Sequence, residues 1–467
     1  MRIDSDLRAA DLAPALQRLW QLSAAKIEAI ESTWRAADGA PVFTVDGRYT
    51  SRGWTEWTQG FQFGAALQQF DATGEAAFLE LGRARTLASM GPHLTHFGVH
   101  DHGFNNVSTY GHLLRLIDEG RIEAGAWERE HHALALRCSG AVQARRWTRI
   151  AGGGGFVHSF NGPHSLFADT IRSLRSLALA HRLGHRLLDE HDEEVSLLGR
   201  LVEHLRATER YTVYHGDGRD AYDVRGRVAH ESLFNVVDGR YRCPGTQQGF
   251  SPFTTWTRGL AWVMLGAAEQ LEFVASLGDA ELEPCGGRDE VEALLLRMGR
   301  ATCDFYLDWT PTDGVPFWDT GAPGLARIGN WRARASDPFN DEEPVDSSAA
   351  AIAAQAFLRL GRQLATRDPA TAGRYRQAGL GLLRTLLDDP YLSGDDGHQG
   401  LLLHAVYHVP NGWDHVPAGC RIPCGEACIW GDYHLREAAL LIQRELDGGP
   451  YPSFFASIRA GAAGSGS

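Results

Sequence analysis

The chain has 467 residues, with 45 Lys and Arg against 58 Asp and Glu, a formal net charge of −13. That balance excludes a protein that grips nucleic acid or anionic membranes through a net basic face. Hydrophobic residues at 43 % and charged residues at 22 % exclude wholesale disorder.

No run approaches the roughly 20 apolar residues of a membrane span. The start, Met1-Arg2-Ile3-Asp4, lacks the basic region and apolar core of a secretory leader. Seven scattered Cys fit a reducing compartment, so a cytoplasmic location is expected. In chain order, helical periodicity runs from Leu7 to Trp34 and recurs near 75–90, 170–188, 194–207, 256–276, 290–308, 347–364, 371–388 and 429–446. Strand-like alternation is confined to short pieces at Tyr211 to Tyr214 and Leu233 to Val237. No composition break marks a linker, so residues 1–460 are expected as one all-α domain and 461–467 as a flexible Gly/Ser tail. Antiparallel helices of this number can close into a toroid whose loops form a mouth at one end.

Four clusters sit at the helix starts. Trp54-Thr-Glu-Trp57-Thr-Gln-Gly-Phe61 offers Trp57 as a stacking platform or as core. His100-Asp101-His102-Gly103-Phe104 is dense in titratable groups, where Asp101 is either functional or a helix cap. Its His-x-His spacing is not the pattern of a zinc-binding helix face, and no metal is expected. Asp169 opens the helix that begins Thr170-Ile-Arg and by position alone would be read as a cap. The preceding Gly152–Gly155 run lacks the Gly-Lys-Ser/Thr of a phosphate loop and is read as loop. His230 leads to Gln247-Gln248-Gly249 and then to Trp256-Thr-Arg258-Gly-Leu-Ala-Trp262. An Arg beside two indoles at a helix N-terminus suits a carboxylated sugar or a buried structural partner equally well.

These segments resemble the unsaturated glucuronyl hydrolases of glycoside hydrolase family 88. The resemblance rests on Trp57-Thr-Gln-Gly-Phe, His100-Asp101-His-Gly-Phe, the Asp169 helix start, His230, Gln248-Gly249 and Thr255-Trp-Thr-Arg-Gly-Leu-Ala-Trp262. It continues through Phe317-Trp-Asp319, Asp346-Ser-Ser-Ala349 and Ile429-Trp-Gly-Asp-Tyr433, in the family's order from about residue 50 to 446. The resemblance implies an (α/α)6 barrel and a hydrolase in polysaccharide degradation, acting on lyase-generated oligosaccharides without a cofactor. Such products end in a 4-deoxy-hexuronate with a C4=C5 double bond. One Asp protonates C4, its carboxylate then helps water add at C5, and the hemiketal collapses to release the aglycone, unlike a two-carboxylate displacement.

The resemblance carries the acid/base role to Asp169, with Asp101 close enough that one of the two carboxyls is kept protonated near neutral pH. It makes His100, His230, Gln248, Trp57, Trp256, Arg258, Trp262, Ser347 and Ser348 substrate-side residues. Departures are Gln247 where His is usual, Gln62 where an aromatic is expected, and extra residues before His230 and around 277–289 and 320–345, the last two expected near outer subsites. Cys420-x3-Cys424-x3-Cys428 has the wrong spacing for a zinc knuckle and is read as structural or incidental thiols. A glycosidase or lyase acting on saturated uronides on the same barrel, and a non-catalytic uronate-binding protein, are the alternatives.

Overall fold

Apolar side chains at three- and four-residue spacing collapse into helices that must bury one stripe or all faces, and the chain alternates the two kinds. The computed structural model describes residues 1–53 and 56–458. Trp54 and the expected tail at 461–467 lie outside them. Twelve helical stretches build the frame: α1 Ala13–Thr33, α2 Gln59–Thr73, α3 Ala76–Ser89, α4 (His102–Asn106, Val107–Gly111 and His112–Asp118), α5 Ala126–Arg145 and α6 (Thr170–Ser173 and Arg175–Arg182). They continue with α7 Leu197–Ala207, α8 Thr257–Ala275, α9 Arg288–Asp308, α10 Ser347–Leu364, α11 Pro369–Leu386 and α12 Ile429–Leu446.

The even-numbered helices pack in sequence, α2 on α4, α4 on α6, and so on to α12, which returns to α2 and closes the ring. The odd-numbered helices lie outside them, α1 and α3 on α2, α5 and α7 on α6, α9 on α8 and α11 on α10. The burial follows: α8 is buried from Thr257 to Val274 and α12 from Ile429 to Ile442, whereas α1 buries one stripe, Leu16, Leu19, Trp20, Ser23, Lys26, Ile27 and Ile30. This is the six-hairpin α/α toroid expected from the sequence. Among the described residues no helix is long and apolar enough to cross a membrane.

The ring interior is not wholly apolar. Arg172 reaches Glu269 at 2.6 Å and Glu437 at 3.1 Å, and Arg359 reaches Glu272 at 2.8 Å, all nearly fully buried. Buried charges of this kind are tolerated because each finds a partner.

Among the described residues nine short strands line the connections: β1 Pro41–Val45, β2 Arg48–Ser51, β3 Trp147–Arg149, β4 Gly155–Val157, β5 Ser165–Phe167, β6 Leu187–Leu188, β7 Glu194–Val195, β8 Glu231–Phe234 and β9 Tyr241–Gly245. The antiparallel sheet β5-β8-β9 matters most, because it pairs Phe167 with Glu231 and so brings Asp169 beside His230. The strand expected at Leu233 to Val237 is therefore present as β8, two residues early. The one expected at Tyr211 to Tyr214 is not. Thr208–Thr212 is a π turn that extends α7, and Val213 only bridges to Val228.

Two glycines set the spacing of the ring at its N-terminal end. A Cβ on Gly60 would lie 2.2 Å from the Asn105 carbonyl oxygen, and one on Gly103 would lie 2.1 Å from that of Ser173. Backbone therefore touches backbone from α2 to α4 and from α4 to α6. Gly103→Ala is expected to destabilise by about 3 kcal/mol, as overpacking does, and to lower activity by moving Asp101 away from Asp169. Thermal melts with parallel rate measurements check both effects.

Candidate active site

The inner helices begin at the same end of the ring, and residues at the starts of four of them share one cavity. It has a volume of about 700 Å³ and is lined by Trp57 from α2, His100, Asp101 and Phe104 from α4, Asp169 from α6, and Trp256, Arg258 and Trp262 from α8. Inner-helix N-termini direct positive dipole ends toward this mouth, a setting that favours an anionic ligand.

Two aspartates occupy N-cap positions there without capping. Neither Asp101 at the start of α4 nor Asp169 at the start of α6 accepts a hydrogen bond from its own helix. Asp346 at the start of α10, by contrast, accepts from the amides of Ser348 and Ala349. The cap reading thus holds for Asp346 and fails for the other two, whose carboxyls are turned to His100. The His100 Nε2 lies 3.2 Å from Asp169 Oδ1, and its Nδ1 lies 3.7 Å from Asp101 Oδ2. One polar atom from each of the three falls within 4.8 Å of the others.

The electrostatics divide the pair. Burial pushes Asp101 up to about 6, against the pull of His100 and helped by the charge of Asp169. Burial also raises Asp169, but the charge and hydrogen bond of His100, then His230, outweigh it and hold Asp169 below the usual carboxylate range. Burial pulls the His100 imidazole down, and the two carboxylates together overcome this and raise it. Of the two carboxyls it is Asp101 that is held up toward neutral pH, and desolvation rather than like charge is the main cause.

Aromatic rings wall the cavity. Trp57 stacks on Trp430 at 5.1 Å between centroids, and Phe104 fills the gap between Trp57 and Trp262. Arg258 lines the cavity but its guanidinium is already engaged, donating to Asp346, to the carbonyls of Val406 and Tyr407 at 2.6 Å each, and to Gln248 Oε1 at 3.1 Å. Its faces lie against Trp256 and Trp430. Both readings of Arg258 left open by the sequence meet here: the residue is structurally paired and still contributes the positive charge of the wall. By holding Gln248 Oε1 it leaves the Gln248 amide nitrogen to donate into the cavity.

His230 does not line the cavity. Its Nδ1 accepts from the Gln247 amide at 2.9 Å, which fixes the proton on Nε2, and burial pulls its pKa down to about 3. Packed between Phe167 and Trp256, it holds the turn that presents Gln247 and Gln248. Ser347 and Ser348 are likewise set back. The Ser347 hydroxyl donates to the Leu403 carbonyl at 2.6 Å, and the Ser348 hydroxyl donates to Asp346 and accepts from the Trp430 indole.

Gln62, where an aromatic was expected, is buried in α2, accepts from Gln59 and does not line the cavity. Residues 277–289 follow the C-terminal end of α8 and lie at the end of the ring away from the mouth, with Glu281 against His181. No residue of 320–345 lines the cavity. All seven cysteines are free, Cys420 and Cys424 lying 3.5 Å apart at sulfur. Asp46, His415 and Glu426 also bring polar atoms within 4.8 Å of one another, at the tip of the β1–β2 hairpin.

Several lining residues carried no sequence signal of their own. His93 sits on a short 3-10 stretch and His96 just after it, and Tyr407 and His408 lie in the irregular segment between α11 and α12. Phe160 lies in the loop before β5, where its ring stacks on His100 with centroids 6.0 Å apart.

No family model matches the chain. The architecture nevertheless fixes the class of fold: a solved unsaturated glucuronyl hydrolase from Bacillus sp. GL1 superposes with a TM-score of 0.69 at 23 % identity, covering 93 % of this chain and 98 % of that one. The relatives in sequence narrow it. The chain is 28 % identical over 401 residues to the unsaturated glucuronyl hydrolase of Bacillus sp. (strain GL1), covering 84 % of this chain and 88 % of that one. It is 24 % identical over 421 residues to the unsaturated chondroitin disaccharide hydrolase of Streptococcus pyogenes serotype M1, covering 87 % and 86 %. The resemblance that the motifs carry is thus repeated over most of the chain, which is related to the unsaturated glucuronyl hydrolases.

Proposed function

We propose that this chain is a glycoside hydrolase that removes the non-reducing-end 4-deoxy-Δ4,5-unsaturated uronic acid from lyase-generated oligosaccharides. The carrying observation is the pair of helix-start aspartates that do not cap, joined through His100 on the wall of a cavity at the inner-helix N-termini. The uronate carboxylate is attracted by those N-termini, by the Arg258 charge and by the Gln248 amide. Trp57 and Trp262 supply flat apolar faces for the sugar ring.

Asp169 is the acid/base. It shares the His100 proton across 3.2 Å. A sugar that seals the cavity removes water, and low dielectric favours a neutral carboxylic acid beside a neutral imidazole over the ion pair. Asp169 then gives that proton to C4 while positive charge develops at C5 and is shared by the ring oxygen. Its carboxylate takes a proton from water as the oxygen adds to C5. The C5 hemiketal opens to a ketone, and the hemiacetal left at C1 expels the aglycone, for a net consumption of one water. Asp101 keeps the second carboxyl neutral up to about pH 6, which limits repulsion of the anionic sugar. His230 acts as a positioning residue, as do Ser347 and Ser348 through Asp346.

The test is direct. Lyase-generated disaccharides are expected to lose their enol-ether absorbance and release the second sugar without added metal or nucleotide. Release with the double bond intact would favour an ordinary glycosidase, and binding without turnover would favour a uronate-binding protein. The rate should also follow the proton inventory: kcat/KM is expected to fall as pH rises above 6.5 through the raised pKa of His100, because the cluster then lacks the proton Asp169 must deliver. A pH profile in which His100→Gln retains the same alkaline limb would contradict this.

Residues 1–460 form a single catalytic domain in this proposal, supported by the closed ring. Seven free thiols support a reducing, cytoplasmic location.

A further inference from the structure

The uronate carboxylate needs one positive partner, and the cavity provides one. Among the described residues that line it, Arg258 is the only Lys or Arg, and it is already paired with Asp346. Asp101 and Asp169 face the same space. The other ionisable groups there include His93 and His408, both pulled down to about 4 by burial, with His96 and Arg258 respectively adding to the effect. They are uncharged at neutral pH, and the one raised imidazole, His100, is already engaged by Asp101 and Asp169, so beyond Arg258 the lining offers a second anion no further Lys or Arg.

That side offers rings instead. Phe160 lies 38 % exposed at the mouth, stacked on His100, and Phe97 is 59 % exposed beside the lining residues His96 and Gly98. Both rim segments are tied down by one buried residue, Arg146, which donates to the carbonyl of Phe97, to that of His158 at 3.2 Å and to that of Ser159 at 2.7 Å. That buried guanidinium is thus engaged by three backbone oxygens and serves to present the two phenyl rings.

We infer that this chain selects unsaturated disaccharides whose second sugar is uncharged, with Phe160 as the platform for that sugar. This deepens the proposed function and rests on it. A sulfate on the second sugar would lose water beside two carboxyls whose one cation, His100, is already engaged by them, whereas a neutral sugar would lay its C–H face on the ring. Rejection would come from the missing partner as much as from repulsion.

The experiment compares dGlcA-GalNAc with dGlcA-GalNAc6S on the full chain, following loss of the enol-ether absorbance. The sulfated disaccharide is expected to show kcat/KM at least about tenfold lower, as an unpaired anion in a partly dry site should. Phe160→Ala is expected to raise KM for dGlcA-GalNAc about tenfold with kcat little changed, since it removes binding shared by ground and transition states. Equal or faster turnover of dGlcA-GalNAc6S would overturn the selectivity while leaving the proposed function intact. An unchanged KM in Phe160→Ala would overturn the platform assignment. Turnover of neither disaccharide would overturn the parent function and the selectivity with it.

Discussion

Asp169→Asn is expected to lower kcat at least about a thousandfold on an unsaturated disaccharide while leaving the melting temperature almost unchanged. The size follows from losing the only group that both gives and retrieves the proton, an effect typically worth 10²- to 10⁴-fold. The fold is spared because this carboxyl caps nothing. Its partner is His100, and an amide at the same place still accepts a hydrogen bond from that imidazole. Asp101→Asn should cost far less, about tenfold to a hundredfold, because that carboxyl is already neutral up to about pH 6. If the two variants fell equally, or if Asp101→Asn were the more damaging, the roles assigned to the pair would have to be exchanged.

Arg258→Met is expected to damage both stability and activity. The Arg258 side chain is almost fully buried and its salt bridge to Asp346 is at 0 % exposure on the acid side. Removing the cation strands a buried carboxylate, a loss of about 3–5 kcal/mol. It also frees the carbonyls of Val406 and Tyr407 and the Gln248 amide, so the wall that meets the uronate loses both charge and shape. Urea unfolding measures the first effect. The second should appear as a raised KM together with a lowered kcat. A double variant with Asp346→Asn should recover part of the stability but none of the substrate affinity, which separates the buried pair from the binding role.

The inner helices were legible where the period stays at 3.6 residues, as in α8, α10 and α12, whose ends fall within a few residues of the expected ones. Three helices were not. α2 is buried at every position from Gln59 to Asp71, so no apolar stripe stands out from a polar one. In α4 the π turn at Val107–Gly111 inserts an extra residue per turn, which shifts the buried set out of phase and hides it. In α5 the buried face is His132, Ala133, Ala135, Leu136, Ser139, Gly140, Gln143 and Ala144, small and polar, so hydrophobic contrast is faint although packing is close.

The site was legible as residues but not as bonds. Asp101 and Asp169 stand at helix starts, where sequence alone favours a cap, and only coordinates show that both side chains turn away. The pairing of Arg258 with Asp346, Val406 and Tyr407 joins positions 88 to 149 apart in sequence, which local pattern cannot reveal. His93, His408 and Phe160 reach the cavity from irregular segments whose course is set by packing rather than by periodicity.

The chemistry itself is tested most directly by turnover of dGlcA-GalNAc in deuterium oxide, with the product followed by NMR as the second sugar is released. The expected product has lost the C4=C5 bond and carries a single deuterium placed stereospecifically at C4. Release of the second sugar from a uronic acid that keeps its double bond and holds no deuterium at C4 would contradict protonation by Asp169.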